Sequence, residues 1–108
     1  MADGEVEIEL GAEDERKPFT LRCTPRAFKA VNQLGGFSNV FRRLAEFDAD
    51  AYDAVIAAGL NKRPGDVSEL VFKTGLPDLT APLSEFVSQL MNGGRPIKAD
   101  EPGGDEKN

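Results

Sequence analysis

The sequence contains no histidine and no tryptophan, and it has a single cysteine, Cys23. Without histidine the chain lacks the side chain that most often acts as a general base and most often binds a metal ion. Cys23 cannot form an internal disulfide, and because it alternates with Phe19 and Leu21 we interpret it as a small core residue rather than a reactive thiol. These absences predict a protein that is not an enzyme and that holds no cofactor or metal.

Long apolar runs and an excess of basic residues are also missing. No stretch approaches the roughly 20 apolar residues of a membrane-spanning helix, and the acidic N-terminal segment MADGEVEIEL has no signal-peptide core. The net charge of -6 has the wrong sign for a protein that binds nucleic acid by neutralising its phosphates. We therefore expect a cytoplasmic protein that has neither a membrane nor a nucleic acid as its partner.

The chain that remains is that of a small globular domain, with 108 residues of which 40% are hydrophobic. Its first part alternates glutamate with apolar residues, and a second alternating run follows the acidic turn at 11–17. This period of two predicts a hairpin with strands at about 4–10 and 18–23. Val6, Ile8 and Leu10 would share its inner face, while the glutamates on the outer face would be solvated, with Arg22 facing one of them.

Apolar residues at helical spacing then predict five short helices, at about 25–34, 38–47, 50–58, 66–74 and 80–92. Thr24 is the expected N-cap of the first helix, with Pro25 at its first position. The pair Gly35-Gly36 is expected to end this helix, because glycine tolerates a positive φ. Ser38 is then the expected N-cap of the second helix.

The later helix boundaries follow from similar signals. Asp48 or Asp50 would cap the third helix and Gly59 would end it. The fourth helix would start near Asp66 and Glu69, which resemble a capping box. Gly75 would end that helix, Pro77 would prevent its resumption, and Thr80 would cap the fifth helix, with Pro82 in its first turn.

Together these elements predict an α+β fold, a two-stranded antiparallel hairpin followed by about five short helices. One domain would occupy residues 1–94, and the segment 95–108, which is rich in proline, glycine and charge, would be a disordered tail. The residues expected to be mostly buried are Val6, Ile8, Leu21, Phe41, Leu44, Val55, Ile56, Phe72, Phe86 and Leu90.

The acidic residues Asp48, Asp50 and Asp53 are close enough in sequence to suggest a calcium loop. An EF-hand loop that began at Asp48 would require a carboxylate or amide at Tyr52, and a glycine where Asp53 stands. Its last position would require a glutamate where Gly59 stands. Helix capping explains these aspartates better.

Two features indicate an interaction function. A two-stranded hairpin leaves sheet edges unpaired, and helices that cover one face do not satisfy the amides of those edges. The second helix carries more phenylalanine than a small core readily buries, and surplus apolar surface commonly marks an interface. The predicted partner-binding residues are Phe37, Val40, Phe41, Phe47, Val6 and Ile8.

The chain resembles the tail assembly chaperones of tailed bacteriophages and, more narrowly, the small protein encoded among the tail genes of gene transfer agents. The resemblance covers about residues 4–94. It lies in packing and turn positions rather than in a catalytic motif. The segments that carry it are the opening GEVEIEL, the strand Phe19–Cys23, the helix ending in Gly35-Gly36, Arg43-Leu44, the run YDAVIAAGL from Tyr52 to Leu60, and the late helix ending before Gly93-Gly94.

This resemblance implies a non-catalytic protein of the infected or producing cell that binds the tape measure protein. Such a chaperone keeps the apolar helices of its client from aggregating and helps tail tube protein polymerise around it. The protein would also form homo-oligomers. Two alternatives remain open: a structural tail tube or connector subunit retained in the particle, and a small regulatory or antitoxin-like module, which would need a basic face for DNA.

Overall fold

The computed structural model describes residues 4–96. An N-terminal hairpin is followed by five helices, which confirms the predicted α+β class. In chain order the elements are β1 (Glu5–Leu10), β2 (Lys17–Arg22), α1 (Pro25–Asn32), α2 (Phe37–Ala45), α3 (Ala49–Leu60), α4 (Pro64–Thr74) and α5 (Leu76–Met91). The disordered tail predicted for 95–108 lies outside the described residues, apart from Arg95 and Pro96.

The hairpin is antiparallel, and its register pairs Val6 with Leu21 and Ile8 with Phe19. Val6, Ile8 and Leu21 are buried against the helices, as the alternating pattern predicts. The outer face carries Glu7 and Glu9, which are exposed, and Glu5, which forms an ion pair with Arg22.

A buried threonine ties the hairpin turn to α4. The Thr74 hydroxyl donates to Leu70 O at 2.7 Å and accepts from the Gly11 N–H at 2.8 Å, so this polar group is satisfied inside the fold. Arg16 adds a second connection, because its guanidinium donates to Gly11 O at 2.8 Å and to Asp78 Oδ2 at 3.1 Å.

α3 and α5 form the centre of the helical layer, and both pack on the hairpin and on each other. The buried apolar residues of α5 share one stripe: Leu79, Leu83, Phe86, Val87 and Leu90. α3 is apolar on most of its surface, because it is enclosed by β2, α1, α4 and α5.

Several of the predicted caps are confirmed. Thr24 Oγ1 accepts from the Ala27 N–H at 3.0 Å and Pro25 takes the first helical position. Gly35 and Gly36 have the expected positive φ values of 101° and 94°. They lie in the turn after α1, however, because the helix ends at Asn32 and its C-cap is Gln33. Of the two candidate caps for α3, Asp48 is the one that bonds, accepting from the Asp50 N–H at 3.1 Å.

Other predicted boundaries are wrong. α2 begins at Phe37 and Ser38 makes no capping bond. α4 begins at Pro64, so Asp66 stands at its third position and accepts from the Arg63 N–H. α3 continues past Gly59 to Leu60 and ends at Asn61, which adopts the left-handed conformation.

The largest error concerns the start of α5. Pro77 does not stop helix formation, because it lies in the first turn of α5, where a backbone N–H has no helical acceptor in any case. Thr80 is therefore inside the helix rather than at its cap, and its hydroxyl donates to Leu76 O at 3.1 Å. Pro82 is also an interior residue of α5.

Ten residues are predicted to be mostly buried. Eight of them are buried, Phe41 is half-buried, and the prediction for Phe72 is wrong. Phe72 is 85% exposed. The buried residues of α4 are Val67, Val71 and Thr74, and this stripe leaves position 72 on the opposite side of the helix. Residues 70–72 are consecutive apolar residues, and consecutive residues of a helix point about 100° apart, so they cannot all face the core.

Tyr52 links three helices through its hydroxyl, which donates to Leu44 O at 2.6 Å and lies 2.7 Å from Thr80 Oγ1. Its side chain is fully buried. Tyr52→Phe is expected to lower the free energy of unfolding by about 1–2 kcal/mol, because a buried hydrogen bond is lost while the ring still fills its space. Chemical denaturation followed by far-UV circular dichroism measures this change.

Ser38→Ala is the matched control, since the Ser38 hydroxyl is exposed and makes no capping bond. We expect its effect to fall within about 0.5 kcal/mol of zero. Equal effects of the two substitutions would contradict the hydrogen bond assigned to Tyr52.

Candidate interaction surfaces

The side chains that could in principle react or bind a metal are cysteine and the carboxylates. Cys23 is half-buried at the end of the hairpin, and burial raises the pKa of its thiol, which disfavours the reactive thiolate. Within residues 4–96 no three acidic or cysteine side chains converge in an arrangement that could hold a metal ion.

The three aspartates around the start of α3 do not share a site. The Asp48 carboxylate accepts from Arg43 Nε at 2.8 Å, and this hydrogen bond holds the pKa of Asp48 below its ordinary value. Partial burial raises the pKa of Asp53, and the neighbouring charge of Asp50 adds to this increase. Asp48 is therefore a helix cap that is held by Arg43.

Half of the predicted partner-binding residues are not on the surface. Val6, Ile8 and Val40 are buried and belong to the core. The hydrophobic pattern alone did not separate them from surface residues, because an inward-facing apolar residue and an interface residue have the same chemistry. These three positions are removed from the candidate surface.

The three phenylalanines of the prediction are accessible to different degrees. Phe37 and Phe41 are half-buried and pack against the core at one side. Phe47 is 52% exposed and stands just after α2 with a positive φ of 58°. Phe37 also packs on Phe28 of α1, with ring centroids 5.2 Å apart, so the accessible apolar surface extends from α2 onto α1.

An open groove of about 400 Å³ continues this surface toward the end of α5. Its apolar walls include Phe28, which is 40% exposed, and Met91, which is 52% exposed, and its floor includes Leu90 and Cys23. We call this the α1/α5 groove. Phe28 and Met91 were not predicted as surface residues, because both fall within apolar helical stripes. In the structure Met91 is the last residue of α5, so no following helical turn covers it.

The hairpin provides a second surface, made of backbone groups. The Cys23 N–H donates to Gly4 O at 2.8 Å, so the opposed pairs that exchange hydrogen bonds continue as Val6 with Leu21 and Ile8 with Phe19. The residues between them direct their backbone groups away from the partner strand: Glu5, Glu7 and Glu9 on β1, and Pro18, Thr20 and Arg22 on β2. Within residues 4–96 these outward groups have no backbone partner.

The outer edge of β2 lines a groove of about 550 Å³. The opposite wall is formed by the start of α1, including Arg26, and by the end of α3, including Leu60 and Asn61. We call this the β2 groove. Arg26 donates to Asn61 Oδ1 at 2.7 Å, which holds its guanidinium beside the groove.

No helix within the described part of the chain is long and apolar enough to cross a membrane. Comparison of the chain with protein-family models, with curated proteins and with solved structures found no match.

Proposed function

We propose that this protein is a non-catalytic tail assembly chaperone of a bacteriophage or a gene transfer agent. It binds tape measure protein in the cytoplasm of the producing cell, and it assists the polymerisation of tail tube protein around that client. The observation that supports this proposal best is the accessible apolar surface formed by Phe28, Phe37, Phe41 and the α1/α5 groove.

The shape of this surface suits one apolar face of a client helix. Helix-in-groove recognition uses apolar anchors spaced about one turn apart, which insert between helices of the binding protein. Phe28 and Met91 stand on different helices at the two sides of the α1/α5 groove. Met91 adds an unbranched side chain that adapts to different anchors, as suits a client with many similar helices.

The charge of the protein fits the same role. A net charge of -6 makes copies of the chain repel each other, which opposes nonspecific aggregation of a protein with exposed phenylalanines. Short-range apolar contacts can then provide the binding energy. Burial of one phenylalanine side chain contributes about 1.5–3 kcal/mol, which corresponds to roughly a tenfold to hundredfold change in affinity.

Co-expression with the tape measure protein of the same tail gene cluster tests the proposal. The wild-type chain is expected to retain this client in solution through affinity purification. Phe28→Ser and Met91→Ser are expected to weaken retention by at least about tenfold each. Phe72→Ser is the matched control, because Phe72 is the most exposed phenylalanine and lies outside the α1/α5 groove.

Failure of the wild-type chain to retain the client, or equal loss with Phe28→Ser and Phe72→Ser, would contradict the proposal. The unpaired hairpin edges favour one alternative, a tail tube or connector subunit that remains in the particle. Detection of the chain in purified particles at the copy number of the tube protein would support that alternative. Its presence in producing cells and absence from particles is the result expected of a chaperone.

A further inference from the structure

The two edges of the hairpin differ in what surrounds them. The Thr20 and Arg22 amides of β2 are on the edge that borders the β2 groove. The Arg26 guanidinium is held beside this groove by Asn61, whereas the Arg22 guanidinium is paired with Glu5 of β1. The exposed residues Lys62 and Arg63 follow directly after Asn61 at the rim. This edge is therefore positively charged, although the chain as a whole is acidic.

The outer edge of β1 has the opposite character. The β1 residues whose backbone N–H and C=O groups point away from β2 are all glutamates: Glu5, Glu7 and Glu9. Glu7 and Glu9 are exposed. Within the monomer, Glu5 already forms an ion pair with its cross-strand neighbour Arg22. A β1 glutamate and a β2 arginine on adjacent strands are therefore close enough to form an ion pair.

Charge then decides which edges of two copies can meet. Pairing of β1 with β1 would place glutamates opposite glutamates, and like charges directly opposite each other are destabilising. Pairing of β2 with β2 would bring the basic residues of two grooves together, and like charges that face each other are again destabilising. Pairing of β2 with β1 joins a basic edge to an acidic one.

We propose that copies of this protein associate head to tail, with the β1 edge of one copy inserted as an additional strand in the β2 groove of the next. The inserted strand pairs with the Thr20 and Arg22 backbone, and its glutamates lie beside Arg22 and Arg26. Such a contact is heterologous, because it joins two different edges. The copies at the two ends of the assembly each keep one free edge, so it grows until it closes as a ring or extends as an open filament. This inference rests on the proposed function, because the chaperone resemblance is what implies homo-oligomers.

Proline substitutions that block one edge of the hairpin at a time test the proposed strand pairing. Thr20→Pro removes an outward N–H of β2, and Glu7→Pro removes an outward N–H of β1; neither N–H is used inside the hairpin. Pro18 already occupies an equivalent outward position of β2. In sedimentation velocity, at concentrations where the wild-type chain assembles, each variant alone is expected to remain monomeric.

An equimolar mixture of the two variants is the decisive sample. The Thr20→Pro chain keeps an intact β1 edge and the Glu7→Pro chain keeps an intact β2 edge, so the mixture is expected to form dimers and nothing larger. Assembly of either variant to the wild-type size, or a mixture that stays monomeric while both chains unfold at the wild-type temperature, would overturn the proposal. A monomeric wild-type chain would overturn it as well.

Arg26→Glu provides a variant with no backbone change. Arg26 is exposed, it lies in the first turn of α1, where an acidic residue is compatible with the helix dipole, and its one side-chain bond is to Asn61. Assembly is expected to weaken by at least about tenfold and to become less sensitive to salt. Unchanged assembly would contradict the charge argument. Client retention separates the two proposals. A wild-type chain that is monomeric yet retains the client contradicts only the head-to-tail assembly, whereas a wild-type chain that assembles but does not retain the client contradicts only the proposed function.

Discussion

Phe86→Ala is expected to lower the free energy of unfolding by about 3–5 kcal/mol. Phe86 is fully buried in the middle of α5, and its ring lies beneath α3, so removal of the ring leaves a cavity between two central helices. A small domain has a total stability of about 5–15 kcal/mol, so this one substitution removes a large share of it. Chemical denaturation followed by far-UV circular dichroism measures the change.

Phe72→Ala is the matched control for this prediction. Phe72 is 85% exposed on α4, and its truncation is expected to change stability by no more than about 0.5 kcal/mol. The two variants remove the same side chain from the same protein, so the difference between them reports burial. Comparable destabilisation by both substitutions would show that α4 packs through a different face.

Gly59→Ala is expected to destabilise the protein by about 1–3 kcal/mol, although alanine is the better helix former. A Cβ at position 59 would lie 2.8 Å from Leu21 Cδ2, 2.9 Å from Leu21 Cβ and 3.0 Å from Phe86 Cζ. Such separations do not occur in relaxed structures, so β2 and α5 would have to move away from α3. The midpoint of chemical denaturation is the quantity to compare.

The same chain offers an open glycine for comparison. Gly65 lies in the first turn of α4, and a Cβ added there would have no side chain and no atom of another element within 4 Å. Gly65→Ala is expected to be neutral or to stabilise by up to about 1 kcal/mol, because alanine reduces the entropy of the unfolded chain. If both alanines were stabilising, the close crossing assigned to Gly59 would be wrong.

Gly59 also shows why the end of α3 was misplaced. In a sequence, a glycine after an apolar helical run indicates the end of the helix. In the fold this glycine is buried inside the helix, where its missing side chain allows β2 and α5 to approach, and Asn61 provides the left-handed residue instead. A helix stop and a close helix crossing both select glycine, so the sequence does not distinguish them.

The candidate surfaces were only partly predictable for a similar reason. Phe37 and Phe41 were predicted from the surplus of phenylalanine in α2, and both remain partly accessible. Val40 belongs to the same apolar stripe but is buried. Phe28 and Met91 line the α1/α5 groove, although the position of each in its helix is typical of a core residue. The sequence does not predict this groove, because the distance between two helices cannot be obtained from the periodicity of either one.

The sequence by itself determined the elements whose signals are local. Alternation over 5–10 fixes which side chains of β1 face inward, and Thr24 and Pro25 fix the start of α1. Gly35 and Gly36 fix the positive-φ turn that separates α1 from α2. Each of these depends on interactions between residues a few positions apart, which are the same in any tertiary context.

Tertiary structure decided the rest. α5 starts at Leu76 despite Pro77, because its long buried stripe packs on α2, α3 and the hairpin, and a proline in the first turn costs little. Phe72 is exposed because the packing of α4 uses the stripe through Val67 and Val71. Burial is a property of the space between elements, and that space exists only after residues far apart in the chain have come together.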